Sequence, residues 1–361
     1  MKIVTVLGAR PQFIKAAPLS RALAARGLTE SLLHTGQHYD PEMSDVFFRE
    51  LSLPAPAYHL GVGSGPHGEQ TGRMLSGIEA ILTNDRPDLV LVYGDTNSTL
   101  AGALAAVKLN LPVAHVEAGL RSFNRRMPEE INRIVVDAVA SLLFVPVETA
   151  VTQLKREGIP DSRIHLVGDV MFDAALMFAE TAKQRSRVIE TLDLTPKQYA
   201  LATIHRAENT DDRNTLERIF AGLADLCRDM RVVCPLHPRT AAALAASSLE
   251  AFKKAGGIAS EPVGFIDMVR LEQAAGLIVT DSGGVQKEAF FHQVPCITLR
   301  SETEWTELVE GGWNTLLPPA QISTVRQVAR AVMSKQGRPI RPYGNGRAAE
   351  RIAAILARRD F

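Results

Sequence analysis

Ile278-Val279-Thr280-Asp281-Ser282-Gly283-Gly284-Val285-Gln286-Lys287-Glu288-Ala289-Phe290 reads as a strand, a tight turn and a helix start. The apolar run ending at Val279 predicts a buried strand, the two glycines break it, and residues 285–290 resume as a helix. That geometry leaves backbone N–H groups and the positive end of a helix dipole facing outward, which attracts phosphate. Ser282, Gly283 and Gly284 would form the cradle. Glu288, one turn into the helix, is placed to accept hydrogen bonds from vicinal hydroxyls, as acidic residues of Rossmann-type sites do from ribose. A nucleoside diphosphate satisfies both features. The plainer alternative is that Asp281 or Ser282 only caps the helix and the glycines only turn the chain.

Similar strand-length apolar runs recur along the chain, at residues 3–7, 31–34, 89–93, 113–116, 142–145, 164–167, 200–204, 231–234, 277–279 and 296–299, with amphipathic stretches between them. Strands that are apolar throughout and alternate with helices mean parallel sheets covered on both faces. There are more of them than one sheet comfortably holds, and the strandless stretch 171–198 separates two sets. The expected fold is therefore α/β: two doubly wound Rossmann-like domains facing a cleft. The boundary is expected near 170–195, giving domains 1–170 and 171–345. The last helix, over 346–361, is compatible with a return to the first domain or an end on the second.

A chain of 361 residues suits two such cores. Its formal net charge of zero gives no electrostatic case for nucleic acid or an anionic membrane. The cysteines Cys227, Cys234 and Cys296 form no CxxC pair and read as small buried hydrophobes, which fits a reducing compartment. The apolar start at residues 3–7 is too short for a signal peptide, and no run reaches the ~18 residues of a membrane span. A cytoplasmic location is expected.

In sheets of this type ligands sit beyond the carboxyl ends of strands, so the residues just after each apolar run carry the chemistry. Gly8-Ala9-Arg10-Pro11-Gln12-Phe13-Ile14-Lys15 follows the first strand; a single glycine without GxGxxG argues against tightly bound NAD. Asp95 follows the strand at 89–93, and Glu117 with Gly119 and Arg121 follows the one at 113–116. Met127-Pro128-Glu129-Glu130 predicts a helix with proline at its first position and acids in its first turn. These acids emerge on one edge of one sheet. In the second domain His205-Arg206 follows the strand at 200–204 and His237 the strand at 231–234. No histidine spacing suits a metal, so none is expected.

Gly8-x-Arg10-Pro11-x-x-x-Lys15, His34-Thr35-Gly36-Gln37-His38, Gly94-Asp95-Thr96, His115-Val116-Glu117-Ala118-Gly119-Leu120-Arg121, Pro128-Glu129-Glu130-x-Asn132-Arg133, His205-Arg206-x-Glu208-Asn209 and Thr280-Asp281-Ser282-Gly283-Gly284 occur in one order. Together they resemble the non-hydrolysing UDP-N-acetylglucosamine 2-epimerases. The resemblance implies the GT-B-like fold, a UDP-sugar in an interdomain cleft, inversion at sugar C2, no cofactor and a homodimer. It implies Asp95, Glu117 and Glu129 as catalytic carboxylates and His205 as serving the diphosphate or the chemistry. Arg10, Lys15, Arg121, Ser282, Gly283, Gly284 and Glu288 are implied as substrate- and UDP-binding. The forms Met43-Ser44-Asp45-Val46-Phe47-Phe48, Gly168-Asp169-Val170-Met171 and Gln286-Lys287-Glu288-Ala289-Phe290-Phe291-His292, with Gln12 and Thr303-Glu304-Trp305-Thr306, resemble the branch acting on UDP-2,3-diacetamido-2,3-dideoxyglucuronate. Arg125 and Arg126 would then complement that sugar's extra carboxylate. A retaining GT-B glycosyltransferase and a non-catalytic UDP-sugar sensor are the alternatives.

Overall fold

The computed structural model describes residues 1–37, 48, 50–335 and 337–358. His38, residues 43–47 and residues 359–361 of the expected last helix lie outside the described residues. The chain divides into two compact units, one of Met1–Ala174 with Arg341–Phe361 and the other of Ala175–Ile340.

In the first unit, β1 (Lys2–Leu7), β2 (Thr29–His34), β3 (Tyr58–His59), β4 (Leu89–Tyr93), β5 (Val113–Val116), β6 (Leu142–Val145) and β7 (Ile164–Leu166) form a parallel sheet in the order β3-β2-β1-β4-β5-β6-β7. The residues of β4, β5 and β6 are buried throughout, as expected where helices cover both faces. The helix Asn97–Lys108 packs on β1, β4 and β5. Its Ala101, Ala103, Ala105 and Ala106 are buried, and a Cβ on Gly102 would sit 3.2 Å from Val6 atoms, so small residues permit this close approach.

In the second unit, β8 (Tyr199–Thr203), β9 (Arg231–Pro235), β10 (Ile258–Ser260), β11 (Leu277–Thr280), β12 (Cys296–Thr298) and β13 (Asn314–Leu316) form a parallel sheet in the order β10-β9-β8-β11-β12-β13. Alternation along its strands divides the core between the two faces. Ala200, Ala202, Val232, Cys234, Leu277 and Val279 pack with Phe220, Leu223 and Phe252. Tyr199, Leu201, Val233, Ile278 and Cys296 pack with Leu271, Ala274 and Ala289. The strand order reverses between β1 and β4 in one sheet and between β8 and β11 in the other, and each reversal opens a crevice at the strands' carboxyl ends.

The sequence reading missed β3, β10 and β13. All are edge strands of two or three residues with polar or half-exposed positions, too short to show a hydrophobic period. Among the described residues no helix is long and apolar enough to cross a membrane.

The helix Ala348–Arg358 belongs to the first unit and packs on the helix Arg10–Ala25. Its start is held by Asp173, whose carboxylate accepts the Ala348 and Ala349 N–H groups at 3.1 and 2.8 Å. Burial pushes this carboxyl up to about 6 even though those N–H groups pull it down. The folded chain therefore holds the proton more tightly than the unfolded chain, whose carboxyl keeps the ordinary value of 3.8. The resulting contribution to stability is full below the unfolded value and is lost as pH rises through about 6. Relative to a non-titrating Asp173→Asn variant, the wild-type chain should gain stability as pH falls from about 6 to about 4. Calorimetric Tm values of both proteins across that range check this, and parallel curves would refute it.

Candidate functional site

At the β1/β4 crevice the turn after β4 is built around Gly94. Tyr93 of β4 lies level with Val116 of β5, so Gly94 and Glu117 leave their strands side by side. Gly94 has φ +63°, and a Cβ there would lie 3.2 Å from Glu117 Oε2 and 3.6 Å from Lys15 Nζ. The Glu117 carboxylate and the Lys15 ammonium form an ion pair, with both side chains largely buried. Glu117 itself has φ +72°, a left-handed conformation that costs a non-glycine residue on the order of 1 kcal/mol. Such strain persists where the surroundings over-determine it and is common at functional sites.

Asp95, partly exposed, pairs with Arg133 at 2.5 Å, and Asn132 Nδ2 donates to the Asp95 carbonyl at 2.8 Å. Glu129 is half-exposed in the first turn of the helix Pro128–Val139 and makes no side-chain hydrogen bond or ion pair among the described residues. Its neighbour Glu130 is buried and structural. It accepts the N–H groups of Ser122 and Phe123, the Ser122 hydroxyl and an Arg133 N–H. Burial alone would raise its carboxyl, but these donors outweigh that and hold it below the usual value.

Arg121, for which a substrate-binding role is implied, turns its guanidinium onto neighbouring groups of the protein. Its guanidinium forks onto Glu157 at 2.8 and 2.6 Å and reaches Asp137 at 2.7 Å and its neighbour Leu120's carbonyl at 2.7 Å. With its N–H groups so committed, it organises the loop from within. Arg10 is exposed at the first position of its helix.

Two residues shape this crevice without having been singled out as contributors. Gln12 accepts the N–H groups of Gly8 and Ala9 through Oε1 and donates through Nε2 to the Tyr93 carbonyl and Thr99 Oγ1, tying the β1 turn to the β4 end. Asp137, in the last turn of its helix, accepts from His115, Arg121 and the Gly119 N–H. No spacing signal marks Asp137, which joins Glu130 and Asn132 among the buried residues of its helix.

At the β8/β11 crevice of the second unit the helix Gly283–Phe291 follows β11 directly. The glycines are its first two residues and form no separate tight turn. A Cβ on Gly283 would lie 2.5 Å from the Glu304 carboxylate, the end of a flexible and exposed side chain. Ser282 is the N-cap residue but makes no side-chain cap. Asp281 is no cap either. It is fully buried and accepts the N–H groups of His205 (3.1 Å) and Arg206 (3.0 Å) and the Asn209 side-chain amide (3.0 Å), fastening the β8 loop to β11.

His205 stands on that fastened loop with its ring 39% exposed and Nδ1 3.4 Å from Asp281. Burial lowers its pKa, the Asp281 charge opposes this, and His237, Arg206 and Arg239 lower it further, which favours a neutral ring. Glu288 lies against Glu272, a residue the sequence reading passed over. Glu272 is 2% exposed, and burial, the Glu288 charge and their mutual hydrogen bond raise its carboxyl well above the usual range. Among the described residues no cluster of His, Cys, Asp or Glu suits a metal ion.

Paired doubly wound parallel sheets with charged groups gathered at strand ends define a GT-B-like α/β protein. The family model for UDP-N-acetylglucosamine 2-epimerase matches residues 21–357. The chain is 48% identical to a UDP-N-acetylglucosamine 2-epimerase homolog of Methanococcus maripaludis, covering 99% of each chain. It is 47% identical to the UDP-2,3-diacetamido-2,3-dideoxy-D-glucuronate 2-epimerase of Pseudomonas aeruginosa, covering 99% of this chain and 100% of the relative. The crystal structure of Methanocaldococcus jannaschii UDP-GlcNAc 2-epimerase in complex with UDP-GlcNAc and UDP superposes with a TM-score of 0.84 at 43% identity, covering 99% of this chain and 100% of that one. The chain belongs to the UDP-N-acetylglucosamine 2-epimerase family and is an isomerase.

The Asp281 arrangement is directly testable. Asp281→Ala leaves buried N–H donors without an acceptor and should destabilise the second unit by on the order of 3 kcal/mol. Denaturant unfolding of the variant checks this; an unchanged midpoint would contradict the fastening role.

Proposed function

We propose that the chain inverts C2 of a UDP-N-acetylhexosamine by eliminating UDP to a glycal and adding it back. The C2 proton of such a sugar is not next to a carbonyl, so its direct removal would leave an unstabilised carbanion. If the C1–O bond to UDP breaks with its electron pair leaving on the diphosphate, C1 gains oxocarbenium character and C2 becomes acidic. A base then takes the C2 proton as the C1=C2 double bond forms. Return of a proton to the opposite face, with UDP re-adding at C1, gives the epimer.

The single observation that carries this reading is the gathering of Glu117, Lys15 and Asp95 around the Gly94 turn at a strand switch point. Carboxylates suit a developing cation and a migrating proton. Asp95, Glu117 and Glu129 are assigned to the C2 chemistry, with Lys15 and Arg10 beside them. Ser282, Gly283 and Gly284 at the helix start hold the diphosphate as it departs and returns, and His205 donates to it. Glu288 accepts the ribose hydroxyls. The UDP-GlcNAc and UDP bound to the M. jannaschii relative support a UDP-sugar substrate.

The similarity to the P. aeruginosa enzyme supports the diacetamido uronate as the sugar. Exposed Arg125 and Arg126, in the loop before the helix bearing Glu129, offer charge for its carboxylate. UDP-GlcNAc is the alternative substrate, supported by the M. maripaludis relative. A cytoplasmic homodimer supplying surface-polysaccharide precursors completes the proposal, on the family resemblance.

Incubation with each UDP-sugar in D₂O, followed by NMR at C2, decides both reaction and sugar. Deuterium at C2 with manno product is expected. A transferase leaves C2 protonated, and a sensor leaves the sugar unchanged. Asp95→Asn and Glu117→Gln should lower turnover by about 10²–10³ while retaining UDP affinity, and Glu288→Ala should chiefly weaken UDP. Equal losses of calorimetric UDP affinity in all three variants would sink this division of labour.

A further inference from the structure

His115 is completely buried at the end of β5, between two acceptors. Its Nε2 lies 2.7 Å from the Gly94 carbonyl oxygen and its Nδ1 2.7 Å from Asp137 Oδ1. A carbonyl oxygen offers only lone pairs, so Nε2 must carry a hydrogen. Asp137 also accepts the Gly119 N–H at 3.0 Å and an Arg121 N–H at 2.7 Å. The guanidinium pairing with Asp137 marks it as an ionised acceptor independently of His115, so Nδ1 carries a hydrogen as well.

We infer that His115 is a buried imidazolium, donating from both ring nitrogens, and that it positions the Gly94 turn beneath the Glu117 carboxylate. The charges close: His115 and Arg121 face Asp137 and Glu157. Around them stand Lys15 and Glu117 above Gly94, and Arg163, whose guanidinium caps the carbonyls of Asp137, Ala138 and Ala140. The pair acts at both ends of the active turns. Through His115 it holds Gly94, which precedes Asp95. Through Asp137 it holds Gly119, which closes the turn that left-handed Glu117 begins. His115 is a positioning residue, and its role rests on Asp95 and Glu117 being catalytic.

The test is heteronuclear NMR of the full chain carrying ¹⁵N-histidine, with the His115 ring assigned through its own backbone resonances. Both ring nitrogens should carry a hydrogen in the folded protein at neutral pH. A bare ring nitrogen overturns the inference. The amide of His115→Gln can donate to only one of the two acceptors. Its kcat should fall about 100-fold, as for a displaced reacting group, with UDP affinity within about threefold of wild type. An unchanged kcat overturns the positioning role. If the variant does not fold, the wild-type spectrum alone decides the protonation state. An active Glu117→Gln enzyme overturns the catalytic reading and the positioning claim with it, while the ring's protonation is still read independently.

Discussion

A strand covered by helices on both faces has no place along its length for an uncompensated charge. In both sheets the central strands are buried and largely apolar, and apart from His115, which pairs with Asp137, the ionisable groups of the crevices lie beyond the carboxyl ends, where the chain turns away. Parallel pairing then brings several such ends to one edge, and the reversal of strand order opens a crevice there. The placement of Asp95 and Glu117 in one unit and of His205 and Asp281 in the other follows from this burial constraint.

The two units share a second device. Each contains a fully buried aspartate that fastens loops: Asp137 holds the loop after β5 and, through His115, the Gly94 turn, while Asp281 ties the loop after β8 to β11. Neither faces solvent, and each is surrounded by N–H donors. A buried carboxylate is tolerated only when so satisfied, and losing one partner leaves a costly orphan. Such acids confer geometry more than net stability. They fix loops that would otherwise be the most mobile parts of the molecule.

The fold was legible because the strands are continuous apolar runs of ordinary length. The edge strands at Tyr58, Ile258 and Asn314 were not, because a two- or three-residue strand carries no period. Residues at strand ends, such as Glu117 and His205, stood out by position. Groups acting from within helices did not: Asp137 and Glu272 resemble ordinary helix residues until packing brings them to their partners. Arg121 lay in a recognisable motif, yet its place in the sequence could not show that Glu157 and Asp137 take up its guanidinium. The glycines at 283 and 284 read as a turn because glycine commonly breaks a strand, yet here they are the first two residues of a helix.

The left-handed backbone at Glu117 sets two demands against each other. Glycine would occupy φ +72° without the steric cost a glutamate bears there, so selection for stability alone favours glycine at this position. Any procedure that optimises the chain for thermal endurance will be drawn to remove this side chain. The glutamate marks a point where the molecule gives up conformational ease to hold a carboxylate beside Lys15, and on the role proposed for it position 117 should be held fixed in engineering for robustness.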